Sequence, residues 1–100
     1  MGKLKEILKE TLDTYTGRAL IGTSYLTAST DDNFFTVTTV AENTEKRVVN
    51  HSLTVRIESD LIIIEEDINN KPLVDALVQN GIDRKHIILA YAGESIPITG

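Results

Sequence analysis

The C-terminal third of this sequence constrains the fold most, because it encodes a strand, a helix and a second strand with almost no residues to spare. It runs from Leu61 to Tyr91 as LIIIEEDINNKPLVDALVQNGIDRKHIILAY. The opening segment, Leu61–Ile64, is apolar and rich in β-branched residues, as a well-covered strand requires. The closing segment, Ile87–Ala90, has the same character. The two segments therefore predict strands on either side of a helix.

The helix between these strands carries signals at both of its ends. Residues 67–70 supply short polar side chains that can accept hydrogen bonds from free N–H groups, and Asn69 or Asn70 is the predicted cap. Pro72 suits the helix start, where its missing N–H costs little. Gly81 is predicted to take the left-handed conformation just past the helix end, with the next residue folding back on the last turn. The buried face of the helix consists of Leu73, Val74, Leu77 and Val78.

The remaining residues predict a single α+β domain spanning residues 1–100. An amphipathic helix over residues 3–16 begins the chain, and Gly17 stops it. Four strands follow, at Ala19–Ala28, Asn33–Glu42, Lys46–Glu58 and, after a tight Ser59-Asp60 turn, Leu61–Glu65. The predicted order is an N-terminal helix, a four-strand antiparallel meander, a second helix and a final strand. Both helices are expected on one face of the sheet, and the tail from Gly93 to Gly100 is expected to be irregular.

The fourth strand is apolar on both of its faces. The third strand alternates, with one predicted face formed by Val49, His51, Leu53, Val55 and Ile57. In the fourth strand, Ile62 and Ile64 can face the helices, which puts Leu61 and Ile63 on the opposite face. Two helices barely cover one sheet face, so we expect Leu61 and Ile63 to contact a second copy of the chain or a partner protein. The alternative is a second layer supplied by the same chain.

The acidic charge is concentrated in one segment. The net charge of the chain is -5. Residues 58–67 carry five acidic residues and no basic one, and the charges of the remaining residues sum to zero. A protein that grips phosphates needs a basic face, whereas the lysines of the first helix alternate with acids. Direct binding to nucleic acid is therefore not expected. The DNA-binding alternative needs a basic stripe, formed by Lys46, Arg47, Arg56, Arg84 and Lys85.

No motif predicts catalytic residues, a cofactor or a metal site. A small metal-dependent hydrolase would need several carboxylates to converge on a divalent cation, and the candidates are Glu58, Asp60, Glu65, Glu66 and Asp67. The spacing of an EF-hand is absent. His51 and His86 lack the spacing of zinc ligands. No serine lies in a nucleophile elbow. We therefore expect a non-enzymatic protein.

Composition indicates a cytoplasmic protein with no membrane association. The sequence contains no cysteine, which excludes disulfides and thiolate metal sites. It has no run of about 18 apolar residues that could cross a membrane. The charged N-terminal residues lack the apolar core of a signal peptide.

From Leu4 to about Tyr91, the sequence resembles the XisI family, the fdxN-element excision controlling factors of cyanobacteria. The family pattern Lys-Ile-Trp-Ile-x-x-Asp is similar to Leu61–Asp67. The family's helix reads Ile-Ala-x-x-Leu-Val, and its last strand follows Ala-Gly-Val/Ile-Pro-x-x-Asp. These resemble Leu73–Val78 and the run that begins at Asn80.

Some family features are replaced. Ile63 stands at the place of the strand tryptophan, and Asp60 at the place of the turn glycine, where Asp tolerates the left-handed region. The family's C-terminal His-x-Pro-x-x-Arg segment is missing after Tyr91. The resemblance therefore indicates a divergent, C-terminally shortened member.

The resemblance implies a regulatory accessory protein that acts by protein–protein contact. The named member works with XisH, which resembles restriction-type nucleases, so that a separate recombinase excises a DNA element. We therefore expect a homodimer and an XisH-like partner of nuclease fold. A direct DNA-binding excision factor and a small metal-dependent hydrolase remain as alternatives from other classes.

Overall fold

The computed structural model describes residues 2–19, 22–42 and 47–96, and it confirms the α+β fold. In chain order the elements are α1 (Gly2–Asp13), β1 (Gly17–Ala19), β2 (Gly22–Ala28), β3 (Phe34–Glu42), β4 (Arg47–Glu58), β5 (Leu61–Asp67), α2 (Leu73–Gln79) and β6 (Ile87–Leu89). Two short 3-10 turns, Arg84–His86 and Ala90–Ala92, flank β6. The last part of the predicted irregular tail, residues 97–100, lies outside the described residues.

The sheet differs from the predicted meander in having a strand more and in being mixed. Its described strands lie in the order β1-β2-β3-β4-β5-β6, with antiparallel pairs up to β5 and a parallel β5–β6 pair. The crossover through α2 is the connection that a parallel pair needs. The prediction of one strand over Ala19–Ala28 was wrong, because β1 ends at Ala19 and the antiparallel strand β2 begins at Gly22. Gly22 permits the close approach of β2 to β3, because an added Cβ would lie 2.5 Å from the Val40 carbonyl oxygen.

A bulge in β4 changes which of its residues share a face. Val37 pairs with Leu53, but Thr38 pairs with His51, so Ser52 is an extra residue on β4. Such an insertion shifts the alternation by one residue. Leu53 is therefore fully buried, whereas His51 is exposed and Val49 is 60% exposed. The predicted placement of Val49 and His51 on the buried face was wrong for this reason.

The tight turn between β4 and β5 is confirmed. Glu58 pairs with Leu61, which leaves Ser59 and Asp60 as the turn residues. The positive φ of this turn falls on Ser59, at 55°, and not on Asp60. Further along the pair, Val55 opposes Ile64 while Thr54 opposes Glu66, so a second irregularity lies at Glu65.

Both helices pack on the same face of the sheet, as predicted. The buried cluster between them and the strands consists of Leu8, Leu12, Phe35, Val37, Leu53, Val55, Ile62, Ile64, Leu73, Leu77, Ile82 and Ile87. Two polar contacts set the helices against each other. The Asn80 side-chain amide donates to Thr11 Oγ1 at 2.8 Å, and the Tyr15 hydroxyl donates to the Lys71 carbonyl at 2.8 Å.

Asp67, and not Asn69 or Asn70, caps the first turn of α2. The Leu73 N–H donates to Asp67 Oδ2 at 2.7 Å, while the backbone and side-chain N–H groups of Asn69 donate to Oδ1 at 3.0 and 2.9 Å. The Asn69 side chain also donates to the Ser52 carbonyl at 3.2 Å. One carboxylate therefore joins β5, the start of α2 and, through Asn69, the β4 bulge.

The predicted end of α2 is confirmed. Gly81 has a φ of 106°, and the Ile82 N–H donates back to the Leu77 carbonyl at 3.0 Å. Ile82 is 5% exposed, so the returning residue completes the core beneath the last turn.

We predict that Gly81→Ala lowers the free energy of unfolding by about 1 kcal/mol, because an L side chain at this φ is strained. Space is not the cause, since an added Cβ would meet no atom within 4 Å. Gly81→Asn should lose less, since Asn tolerates the left-handed region. Thermal and urea denaturation measure both variants. Equal stability of Gly81→Ala and the parent protein would contradict the assignment.

Candidate interaction surface

The candidate interface residues lie on the face of the sheet opposite the helices, called here the outer face. Across it, Phe34 pairs with Arg56, Arg56 with Ile63, and Ile63 with Ile88. Residues directly opposite in neighbouring strands project to the same side. These four residues therefore form one row across the outer face from β3 to β6.

Ile63 and Leu61 have different environments. Ile63 is 0% exposed within a single chain, whereas Leu61 is half-buried. Arg56 and Ile88 flank Ile63 in its row, and the Ala90–Ala92 turn lies against β5. The chain itself therefore covers Ile63, which needs no second molecule for its burial. That either residue contacts a partner stays a prediction.

Arg56 is held in place by two carboxylates. Its Nε donates to Glu65 Oε2 at 2.6 Å, and its Nη1 donates to Glu58 Oε2 at 2.6 Å. These hydrogen bonds, with Glu65 the larger influence, raise the pKa of the Arg56 guanidinium above its usual value. The pairs neutralise the cation and engage two of the five acids of residues 58–67.

The remaining acids of this segment do not meet at one point. Asp67 caps α2, while Asp60 lies exposed in the turn and Glu66 is exposed on β5. No group of three or more metal-ligating side chains forms within residues 2–19, 22–42 and 47–96. The geometry thus gives no support to the predicted alternative of a carboxylate metal site.

The charge of Asp67 influences the pKa of two tyrosines, Tyr15 and Tyr91. Burial raises the pKa of the Tyr15 phenol, and the Asp67 and Asp75 carboxylates raise it further. The same causes in the same order raise the pKa of Tyr91, with a smaller contribution from Glu94. Both tyrosines therefore stay neutral around pH 7.

The basic stripe of the DNA-binding alternative is locally neutralised. Besides Arg56, Arg84 Nη2 lies 2.8 Å from Glu94 Oε2, and Lys85 Nζ lies 3.9 Å from Asp83 Oδ2. Lys46 lies outside the described residues. Arg56, Arg84 and Lys85 therefore present little unpaired positive charge to a phosphate backbone.

The histidines form hydrogen bonds within the fold. His51 Nδ1 lies 3.1 Å from Thr38 Oγ1, and His86 Nδ1 lies 3.1 Å from the Asp60 carbonyl oxygen. An open depression beside α2, lined by Val74, Asp75, Val78, Gln79 and Arg84, brings no set of catalytic groups together.

The outer face also carries exposed apolar residues. Tyr25, Phe34 and Val49 are 56%, 44% and 60% exposed. The register places all three on the outer face. Phe34, Thr38 and Val40 alternate along β3 and share that face, and Tyr25 pairs with Thr38 while Val49 pairs with Val40.

No helix in the described part of the chain has the length and apolar character needed to span a membrane.

These features define a small α+β domain whose polar groups mainly stabilise its own fold and whose outer sheet face is open. The chain belongs to the XisI protein family, whose family model matches residues 2–97. This confirms the family identified from the sequence.

Two solved structures from Anabaena variabilis ATCC 29413 have a similar fold. A XisI-like protein has a TM-score of 0.74 and 20% identity, with 87% of this chain and 83% of that chain covered. The fdxN element excision controlling factor XisI has a TM-score of 0.66 and 22% identity, with 87% of this chain and 88% of that chain covered. No curated protein matches the sequence.

We predict that Ile63→Asp unfolds the protein, because it places a charge at a fully buried position. Ile63→Val should remain folded and lose about 0.5–1.5 kcal/mol of stability. Leu61→Asp, at a half-buried position, serves as the matched charge control and should retain native circular dichroism. A folded Ile63→Asp variant would show that the chain does not enclose this side chain.

Proposed function

We propose that this chain is a non-enzymatic accessory protein that controls the excision of a DNA element by protein–protein contact. In this proposal it acts in the cytoplasm as a homodimer, together with an XisH-type partner of nuclease fold. The supporting observation is an acidic, partly apolar surface at the β4–β5 hairpin. The acidic hairpin surface, as we call it, consists of Phe34, Glu58, Asp60, Leu61 and Glu66.

The geometry of this surface favours contact over chemistry. Glu58, Leu61 and Glu66 lie on the outer face, because Glu58 pairs with Leu61 and Glu66 pairs with Thr54, next to the Arg56 row. Phe34 is 44% exposed beside them. An exposed aromatic side chain within a charged rim is a common composition for a protein interface.

The charge of the surface suggests the kind of partner. A protein that handles DNA presents basic residues to the phosphates. An acidic surface is complementary to such a protein, accelerates its association and repels duplex DNA itself. Leu61 is the predicted interface residue that is accessible on this surface, while Ile63 supports it from within the fold.

The link to excision comes from the family and its structural neighbour. The chain belongs to the XisI family, and one similar structure is that of an fdxN element excision controlling factor. The XisH-type partner is implied by the resemblance to that family. On the basis of this family membership and this structural similarity, we propose a role in controlling excision for this chain as well.

Charge reversal tests the partner surface. Asp60→Lys with Glu66→Lys should weaken binding to a purified XisH-type protein at least tenfold, because both residues are exposed and four units of charge are changed in total (two per residue). Glu6→Lys with Glu10→Lys makes the same charge change on exposed positions of α1 and should leave binding nearly unchanged. Isothermal titration calorimetry measures both pairs.

Two results would contradict this surface. One is equal weakening by the two charge reversals, which indicates only a long-range effect of net charge. The other is full binding by the Asp60 and Glu66 variant. Absence of binding by the parent protein would contradict the XisH-type partner altogether.

The protein should have negligible affinity for duplex DNA at about 0.15 M salt, where exposed charges are screened beyond roughly 8 Å. The cause is that Arg56, Arg84 and Lys85 each lie beside a carboxylate. Fluorescence anisotropy with a labelled duplex measures the affinity. Micromolar binding at that salt concentration would favour the direct DNA-binding function instead.

A further inference from the structure

The two edges of the sheet differ in whether another strand can join them. At β6, the Ile87 carbonyl accepts from Arg84 Nη1 at 2.6 Å, and the Leu89 N–H donates to Glu94 Oε1 at 2.8 Å. The Glu94 N–H donates in turn to the Leu89 carbonyl at 3.1 Å. The ion pair between Arg84 and Glu94, at 2.8 Å, joins the two side chains. The edge of β6 is therefore closed by hydrogen bonds from its own flanking residues.

This closure persists at neutral pH. The hydrogen bond from the Leu89 N–H, followed by that from Arg84, lowers the pKa of the Glu94 carboxyl below its usual value. Glu94 therefore remains ionised and keeps both contacts. Occupied backbone groups and a charged side chain are two ways in which proteins prevent pairing at a sheet edge.

The opposite edge is open along part of β2. The three-residue strand β1 pairs only with Gly22–Ser24, so Tyr25–Ala28 has β3 on one side and, among the described strands, none on the other. Alternate residues of such a segment direct N–H and C=O groups outward. The segment Tyr-Leu-Thr-Ala contains no charged residue and no proline. It therefore lacks two of the usual protections of an edge strand, a charged side chain and a proline.

We propose that two copies of this chain pair antiparallel through Tyr25–Ala28, so that one sheet continues across a two-fold axis. This rests on the homodimer of the proposed function and specifies its interface. With β6 closed, a head-to-tail chain of edges cannot form, and pairing of the open edge with itself ends at two copies. Because the segment is neutral, the copies bring no like charges together there despite the net charge of -5. Leu26, half-buried against the core, gains cover from its symmetry mate.

Spin labels at single cysteines test the pairing, since the native sequence has no cysteine to interfere. Thr27→Cys labels the open edge, and Lys85→Cys labels an exposed position beside β6. In the proposed dimer, pulsed electron paramagnetic resonance should give a distance within roughly 20 Å for Thr27. It should give roughly 43 Å for Lys85, because nine strand spacings of about 4.8 Å separate the two copies of β6 when the sheets join through β2.

The outcomes separate this interface from the homodimer itself. A dimer by light scattering with a short Lys85 distance and a long Thr27 distance overturns pairing through β2 and leaves the homodimer standing. A monomer overturns both, while the XisH-type partner keeps its own calorimetric test. As a second measurement, Thr27→Glu should shift the dimer to monomer, and mixing it with Thr27→Lys should restore the dimer. An unchanged Thr27→Glu dimer also overturns the pairing.

Discussion

The carboxylate of Asp67 is the constraint on which the C-terminal half of the fold depends. It accepts hydrogen bonds from Leu73 at the start of α2 and from Asn69 in the connection, and Asn69 reaches the β4 bulge at Ser52. The Ile68 N–H donates to the same Ser52 carbonyl at 3.0 Å. These contacts fix where α2 starts, and hence the burial of Leu73 and the return of the chain to β6. An acid with this role is not free for catalysis.

The sequence predicted the features that local chemistry determines. The positive φ of Gly81, the two-residue turn at Ser59 and the apolar strand β6 follow from glycine, turn residues and hydrophobic runs. The errors came from long-range pairing. The alternation of apolar and polar residues in β4 does not show that Ser52 is an extra residue, so His51, which is exposed, was assigned to the buried face. Residues 67–70 all offered a capping side chain, and Asn69 or Asn70 was preferred because Asp67 precedes α2 by six residues, beyond the usual spacing of a cap; only the folded chain shows that Asp67 reaches the Leu73 N–H.

The candidate surface was predictable in its charge but not in its geometry. The acids of residues 58–67 are evident in the sequence. Which of them pair with Arg56, which one caps α2 and which face solvent depends on the register of β4 with β5. Ile63 was expected to need a partner for cover, yet one chain buries it. What remains accessible is the outer face around Phe34 and Leu61 and the open edge of β2. These are the two surfaces to which we propose to assign protein contact.

Urea denaturation of Asp67→Ala beside Glu66→Ala tests the structural role of Asp67 most directly. Both variants remove one carboxylate from β5, but Glu66 is exposed and makes no contact with α2 like that of Asp67. The expected loss of unfolding free energy is about 1–3 kcal/mol for Asp67→Ala, because Leu73 and Asn69 lose their acceptor. Glu66→Ala should change stability by less than about 0.5 kcal/mol. Equal stability of the two variants would contradict the role assigned to Asp67.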